Sequence, residues 1–167
     1  MVSYSYMTID FSKKELEDRI RALEKQLEES DLIKSKLKIY ENVFHHVLHE
    51  VHVWELIRNN DHSIKTWKLV DANPAALKSW NKDLKDIIGK TTDEIFPGVN
   101  ATEQFLPIVD RIFKENQPHK WETFFPATNQ TLYMVSVPFG EHFISTGIDI
   151  THIRNTEKNL SYKHSIG

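Results

Sequence analysis

No glycine or proline occurs before Pro74 in this 167-residue chain. Both residues interrupt regular structure, glycine through its backbone freedom and proline through its missing N–H and fixed φ. The first 73 residues carry no such breaker, so hydrophobic period alone must divide them. Residues 12–50 read as one long helix behind a flexible N-terminus of residues 1–11. Ser12 and Glu15 have capping-box spacing, with Phe11 and Leu16 placed as a hydrophobic staple around the cap. Leu16, Ile20, Leu23 and Leu27 recur at heptad spacing, and Glu15–Arg19 and Glu17–Arg21 stand at i,i+4 on the wet faces. After Leu27 the frame slips, because Ser30 and Lys34 would fall on the seam. It resumes as Ile33, Leu37, Tyr40, Phe44, Val47 and Val51. The slip reads as a stammer or as a break near Ser30–Asp31. Such a helix is about 50 Å long, more than a small domain is wide. It therefore needs a partner, and Leu16, Ile20, Leu23, Leu27, Ile33, Leu37, Tyr40 and Phe44 are the expected seam of a homodimer.

From His52 the period changes to 2. His52–Arg58 and Ile64–Ala72 read as a pair of strands around the turn cluster 59–63. Both have apolar residues on both faces, Val53 and Ile57 on one and Trp54 and Leu56 on the other, so the sheet is expected to be covered on both sides. Asn73-Pro74 is a helix start, with asparagine as N-cap and proline at a position that needs no N–H. Residues 83–88 give a further short helical turn, and Thr91 and Glu94 give a second capping box. Phe105, Ile108, Val109, Ile112 and Phe113 form one helical stripe over 101–117. Strand-like runs at 119–125, 131–138 and 142–150 follow, and Thr151 is placed to cap a last helix from His152 to Leu160. Five strands with short helices between them make an α+β domain.

Composition removes several function classes. Cysteine is absent, which rules out disulfides, thiolate metal sites, iron–sulfur clusters, cysteine nucleophiles and cysteinyl–flavin adducts. A net charge of −3 offers no basic excess for phosphate backbones, so no nucleic-acid partner is expected. No run of 18 apolar residues would span a membrane, and no charged-then-apolar leader opens the chain, so the expected address is the cytoplasm. A Gly-x-Ser-x-Gly elbow, a glycine-rich phosphate loop and an evident pair of buried carboxylates are all missing, so this segment is not expected to be an enzyme.

Residues 51–151 resemble a PAS domain of sensory signalling proteins. The resemblance is carried by Leu69-Val70-Asp71-Ala72-Asn73-Pro74-Ala75-Ala76-Leu77, by Ile88-Gly89-Lys90 and Ile95-Phe96-Pro97, and by Gly147-Ile148-Asp149-Ile150-Thr151. It covers about 100 of the 167 residues and implies a five-stranded antiparallel sheet with short helices on one face, here behind a coiled-coil helix. It also implies a sensor or dimerisation module of a histidine kinase or related two-component regulator. In the family a terminal Asp-Ile-Thr leads to an output helix, which gives Asp149 and Thr151 a role in signal relay and makes residues 152–167 the start of that helix. The effector is then expected outside this segment.

The cofactor remains unnamed. Some family members hold haem through a histidine on the long helix, but here that helix has none and His119 only follows it. Haem is thus less favoured than a non-covalent flavin or a small apolar or aromatic ligand, and a filled core that serves only as an interaction module is the remaining alternative. A pocket would lie between the sheet and the 101–117 stripe, walled by Trp54, Trp80, Phe105, Ile108, Ile112, Trp121, Phe125, Met134 and Ser136. Which strand parity points inward is open, since a one-residue slip reverses every face. His45, His49 and His52 share a helix face if the helix reaches them. No metal site is assigned there, because a solvent-facing strip explains them as well. His49-Glu50 lacks the rest of a kinase phosphoacceptor box.

Overall fold

The computed structural model describes residues 12–164, with side chains through Ser161. The expected N-terminal arm over 1–11, with its staple residue Phe11, lies outside the described residues. The chain divides into two compact units at Val43.

The described residues of the first unit belong to one helix, α1 (Lys13–His46, 34 residues), and its cap residue Ser12, with no break at Ser30–Asp31. Its start is the expected capping box: Ser12 N–H donates to Glu15 Oε2 at 2.7 Å, and Glu15 N–H donates to Ser12 Oγ at 3.3 Å. Arg21 pairs with Asp18 at 2.8 Å rather than with Glu17, which Lys13 meets at 3.9 Å. No residue of α1 is buried. With the helix continuous, the frame slip at Leu27 becomes a rotation. At about 100° per residue, the Ile33–Phe44 half of the seam is turned roughly a quarter turn from the Leu16–Leu27 half.

α1 ends four residues short of the expected boundary, and one side chain explains it. Asn73 is fully buried. Its Oδ1 accepts from Val51 N–H and Ala76 N–H, both at 3.0 Å, while its Nδ2 donates to the His49 carbonyl at 2.9 Å. Those bonds claim backbone groups that a continuing helix would have used, so residues 47–49 turn and Glu50 opens a strand. Val47 and Val51 therefore leave the helical seam.

The second unit holds β1 (Glu50–Arg58), β2 (Ile64–Ala72), α2 (Pro74–Trp80), α3 (Leu84–Ile87), α4 (Thr92–Ile95), α5 (Ala101–Glu115), β3 (His119–Phe125), β4 (Gln130–Phe139), β5 (His142–Asp149) and α6 (Thr151–His164). The five strands form one sheet in the order β2-β1-β5-β4-β3, with every neighbouring pair antiparallel. This is the α+β architecture expected from the sequence. Asn73 caps α2 with Pro74 behind it, and Thr91 and Glu94 form the expected second capping box. The N-terminus of α5 borrows its cap: Asp93 of α4 accepts from Thr102 N–H at 3.0 Å.

One face of the sheet carries the core. Trp54 and Leu56 of β1, Trp67 and Leu69 of β2, Leu132 and Met134 of β4 and Phe143 of β5 pack against α2, α4 and α5 through Trp80, Ile95, Phe96 and Val109. Val51, Val53 and Ile57 on the second face of β1 are half-buried.

Candidate functional site

A cavity of about 80 Å³ lies inside this core, between the sheet and α5. All nine residues expected from sequence to wall a pocket, Trp54, Trp80, Phe105, Ile108, Ile112, Trp121, Phe125, Met134 and Ser136, line it. Alternation along the strands puts Trp54 on β1, Trp121 and Phe125 on β3, and Met134 and Ser136 on β4 on one face. The stripe of α5 brings Phe105, Ile108 and Ile112 over them. Trp67, Phe96 and Phe143 complete the aromatic wall. The rings interlock edge to face, with centroids 5.4 Å apart for Trp80–Phe96 and 4.9 Å for Phe96–Phe125.

The polar part of the wall was largely missed in the sequence. Trp121 Nε1–H donates to Ser136 Oγ at 3.2 Å, and the Ser136 and Ser145 hydroxyls meet at 2.7 Å, so these buried oxygens satisfy one another. His52 is buried and accepts at Nδ1 from Trp54 Nε1–H at 2.5 Å. Burial alone pushes its imidazole down to about 3, so it stays neutral at ordinary pH. It faces the core rather than a strip shared with His45 and His49. Among the described residues no cluster of three His, Asp or Glu side chains could hold a metal.

Glu50 is the other buried polar residue on this face of β1. Burial raises its carboxyl above the usual range. Side-chain hydrogen bonds from Ser79 and Trp80 work against that rise, and the charge of Asp149 adds to it. Parity gives the signal that could have found both residues: Glu50, His52, Trp54 and Leu56 stand at i, i+2, i+4 and i+6. The helix read through residue 50 hid it.

From Glu50 a chain of polar side chains leads out of the cavity. The Ser79 hydroxyl donates to Gln130 Oε1 at 3.0 Å, and Gln130 Nε2–H donates to Asp149 Oδ2 at 2.8 Å. Asp149 Oδ1 accepts from the Thr151 N–H at 2.9 Å and the Thr151 hydroxyl at 2.5 Å. Thr151 Oγ1 in turn accepts from Thr131 N–H at 2.9 Å. Burial works to raise the Asp149 carboxyl, but the bonds from Thr151 and Gln130 together hold it below the usual carboxylate range. Thr151 does not cap α6 as expected. It is the helix's first residue, and its hydroxyl is spent on β4 and Asp149. One turn on, Arg154 binds Glu122 of β3 and Glu157 of its own helix.

Neither large cofactor fits this space. The engineered apolar cavity that takes up a single benzene ring measures about 150 Å³. Roughly half that volume does not admit the three fused rings of a flavin or a haem. A haem would also lack its usual ligand, since α5 has no histidine and the neutral His52, whose Nδ1 accepts from Trp54, carries its proton on Nε2.

Neither a family model nor a curated protein matches the sequence. Solved structures do match in fold. The PAS domain of BvgS from Bordetella pertussis superposes with a TM-score of 0.52 at 17% identity, over 78% of this chain and 98% of that one. A domain of a sensory box sensor histidine kinase/response regulator from Geobacter sulfurreducens gives 0.51 at 10% identity, over 70% and 96%. An RNA-binding Light-Oxygen-Voltage receptor gives 0.54 at 14% identity over 77% of this chain, which spans only 36% of that receptor. The chain has the PAS fold, preceded by a long N-terminal helix.

Proposed function

We propose that this chain is the sensory and dimerisation segment of a cytoplasmic signal-transduction protein, a piece of a histidine kinase. Its cavity takes a small ligand, its N-terminal helix pairs two subunits, and its signal leaves through Asp149 and Thr151 into α6. The observation that carries this reading is the hydrogen-bonded chain from the cavity wall to the first residue of α6. A sensor needs a physical route from the place where it meets its stimulus to the element that leaves the domain, and a continuous polar chain supplies one. The kinase context comes from the Geobacter protein of like fold. The dimer is supported by the seam of α1, where Leu16, Ile20, Leu23 and Leu27 are all exposed in the single chain.

A second reading is a ligand-free interaction module, favoured by the small volume of the cavity. Native mass spectrometry of the full chain decides between them. A dimer carrying added small-molecule mass supports the sensor, and a dimer of twice the bare chain mass supports the interaction module. A monomer at micromolar concentration overturns the pairing. Leu23→Asp combined with Leu37→Asp is expected to turn the dimer into monomer.

A further inference from the structure

Glu50 is a buried carboxyl with no counter-charge. Among the described residues it forms no ion pair. His52, which burial keeps neutral, shares its face of β1, and the charge that acts on it is that of Asp149 at the end of β5, which is of like sign. The fold nevertheless makes room for it. Glu50 stands opposite Gly147 in the β1–β5 register, and a Cβ at 147 would come within 2.9 Å of the Met134 sulfur and 3.4 Å of Glu50 Oε2. A glycine here is a seat for the carboxyl between β5 and Met134. A buried carboxylate without a cation is costly, and one beside an apolar cavity sets up a site for a cation that is not part of the chain.

We propose that the cavity binds a small aliphatic molecule ending in a protonated amine, with the ammonium group donating to Glu50 and the hydrocarbon body filling the space under α5. This rests on the sensory reading of the cavity and names the class of its ligand. Three features select that class. The ammonium supplies the missing positive charge, and its three donors suit an acceptor-only carboxylate. Trp54 of β1 and Trp80 of α2, with ring centroids 6.3 Å apart, both line the cavity alongside Glu50, and aromatic rings of this kind suit a cation. The volume admits a body of roughly three to five non-hydrogen atoms by comparison with benzene in its cavity. Carboxylates meet a like charge, and larger aromatic molecules meet Phe96 and Phe125.

Binding also has a way out. The Ser79 hydroxyl has a single proton but two acceptors, Glu50 and Gln130. An ammonium on Glu50 satisfies the carboxylate and leaves that proton to Gln130, which fixes the amide that holds Asp149.

The test uses the full chain labelled with ¹³C at its methionine methyl groups. The chain has three methionines: Met1 and Met7 precede the described residues, and Met134 lies on the cavity wall beside Glu50 and Gly147. Isobutylamine hydrochloride and isobutanol, matched in shape, are titrated separately at neutral pH and equal ionic strength. The expected result is a saturable shift of the Met134 methyl signal with the amine at least tenfold tighter than with the alcohol, and loss of that preference in Glu50→Gln. Equal affinity for the two probes, or a preference unchanged in Glu50→Gln, overturns the amine site and leaves a ligand cavity standing. A Met134 signal that moves with neither probe overturns the cavity as a ligand site, and the amine site with it.

Discussion

Leu23 and Leu69 are the same residue with opposite fates. Leu23 is 57% exposed on α1, while Leu69 is 1% exposed on β2. The core unit closes its apolar surface on itself, since its sheet face, α4 and α5 meet around one set of side chains. The helical unit has a comparable supply of leucine and isoleucine but presents it on a single rod, which has nothing of its own to fold against. Burial of a leucine stabilises by about 1.5–3 kcal/mol wherever it happens. In the core that gain belongs to the single chain. On α1 no residue has realised it. The rotation of the seam after Leu27 sharpens the contrast, because one straight partner cannot cover both halves of the stripe without overwinding.

The first way to break this comparison is to truncate each leucine. Leu69→Ala is expected to cost about 3 kcal/mol of core stability, from lost burial plus a cavity that the packed sheet cannot close. Leu23→Ala is expected to leave the core within about 0.5 kcal/mol of the parent and to weaken self-association instead. Urea unfolding followed by tryptophan fluorescence reports on the core alone, since Trp54, Trp67, Trp80 and Trp121 all lie in the second unit. If Leu23→Ala shifts that transition as far as Leu69→Ala does, the units are not independent and the comparison fails.

The next effect is acid sensitivity, and it belongs to the core. His52 has a folded pKa of about 3 against an ordinary value of 6.5. Between those values the unfolded chain binds the proton and the folded chain does not, so stability is fully present above pH 6.5 and falls as pH drops toward 3. At about 1.4 kcal/mol per unit, the loss by pH 4.5 is on the order of 3 kcal/mol. Glu50 acts in the opposite sense. Its pKa is raised, so the folded state holds the proton longer, and stability falls as pH rises from 4.5 through the folded value. Denaturant midpoints measured from pH 4.5 to 7 should therefore flatten in His52→Gln, which keeps an acceptor for Trp54 but does not titrate. They should rise more steeply with pH in Glu50→Gln. An unchanged profile in His52→Gln would show that burial of the imidazole is not what makes the core acid-sensitive.

The apolar half of the cavity was legible in the sequence because its signal is local. Period 3.6 grouped Phe105, Ile108 and Ile112 on one face of a helix, and period 2 grouped Trp121 with Phe125, but which strand parity points inward stayed open until the sheet was closed. The polar half was not legible, for two reasons. Asn73 reads from its neighbours only as a helix cap, yet the same carboxamide ends α1 by binding His49 and Val51, more than twenty residues away. That bond moves the strand start to Glu50 and turns Glu50 and His52 inward. The β1–β2 pair is also shifted in register between Val53 and Trp54 and between Ile57 and Arg58, which no alternation pattern records. The route Ser79–Gln130–Asp149 joins three segments far apart in the chain, so only the closed sheet brings them together.

Gln130 is where the smallest change in stability should meet a disproportionate change in coupling. Its amide accepts from Ser79 on the cavity side and donates to Asp149 on the helix side, so Gln130→Leu removes both links without touching the cavity wall or α6. The neutral, half-buried bond to Ser79 contributes about 1 kcal/mol, the exposed bond to the Asp149 carboxylate is largely exchanged for water, and the leucine recovers part of the loss by packing. The domain should therefore unfold within about 1 kcal/mol of the parent. The Arg154 N–H bonds the Ile150 carbonyl in the first turn of α6, so its hydrogen exchange reports whether that turn is closed. In the parent chain its protection should respond to occupation of the cavity by isobutylamine, and in Gln130→Leu that response should vanish while binding persists. If protection responds equally in both, the signal reaches α6 by some other path, such as the β4–β5 ladder, and the polar chain only stiffens the fold.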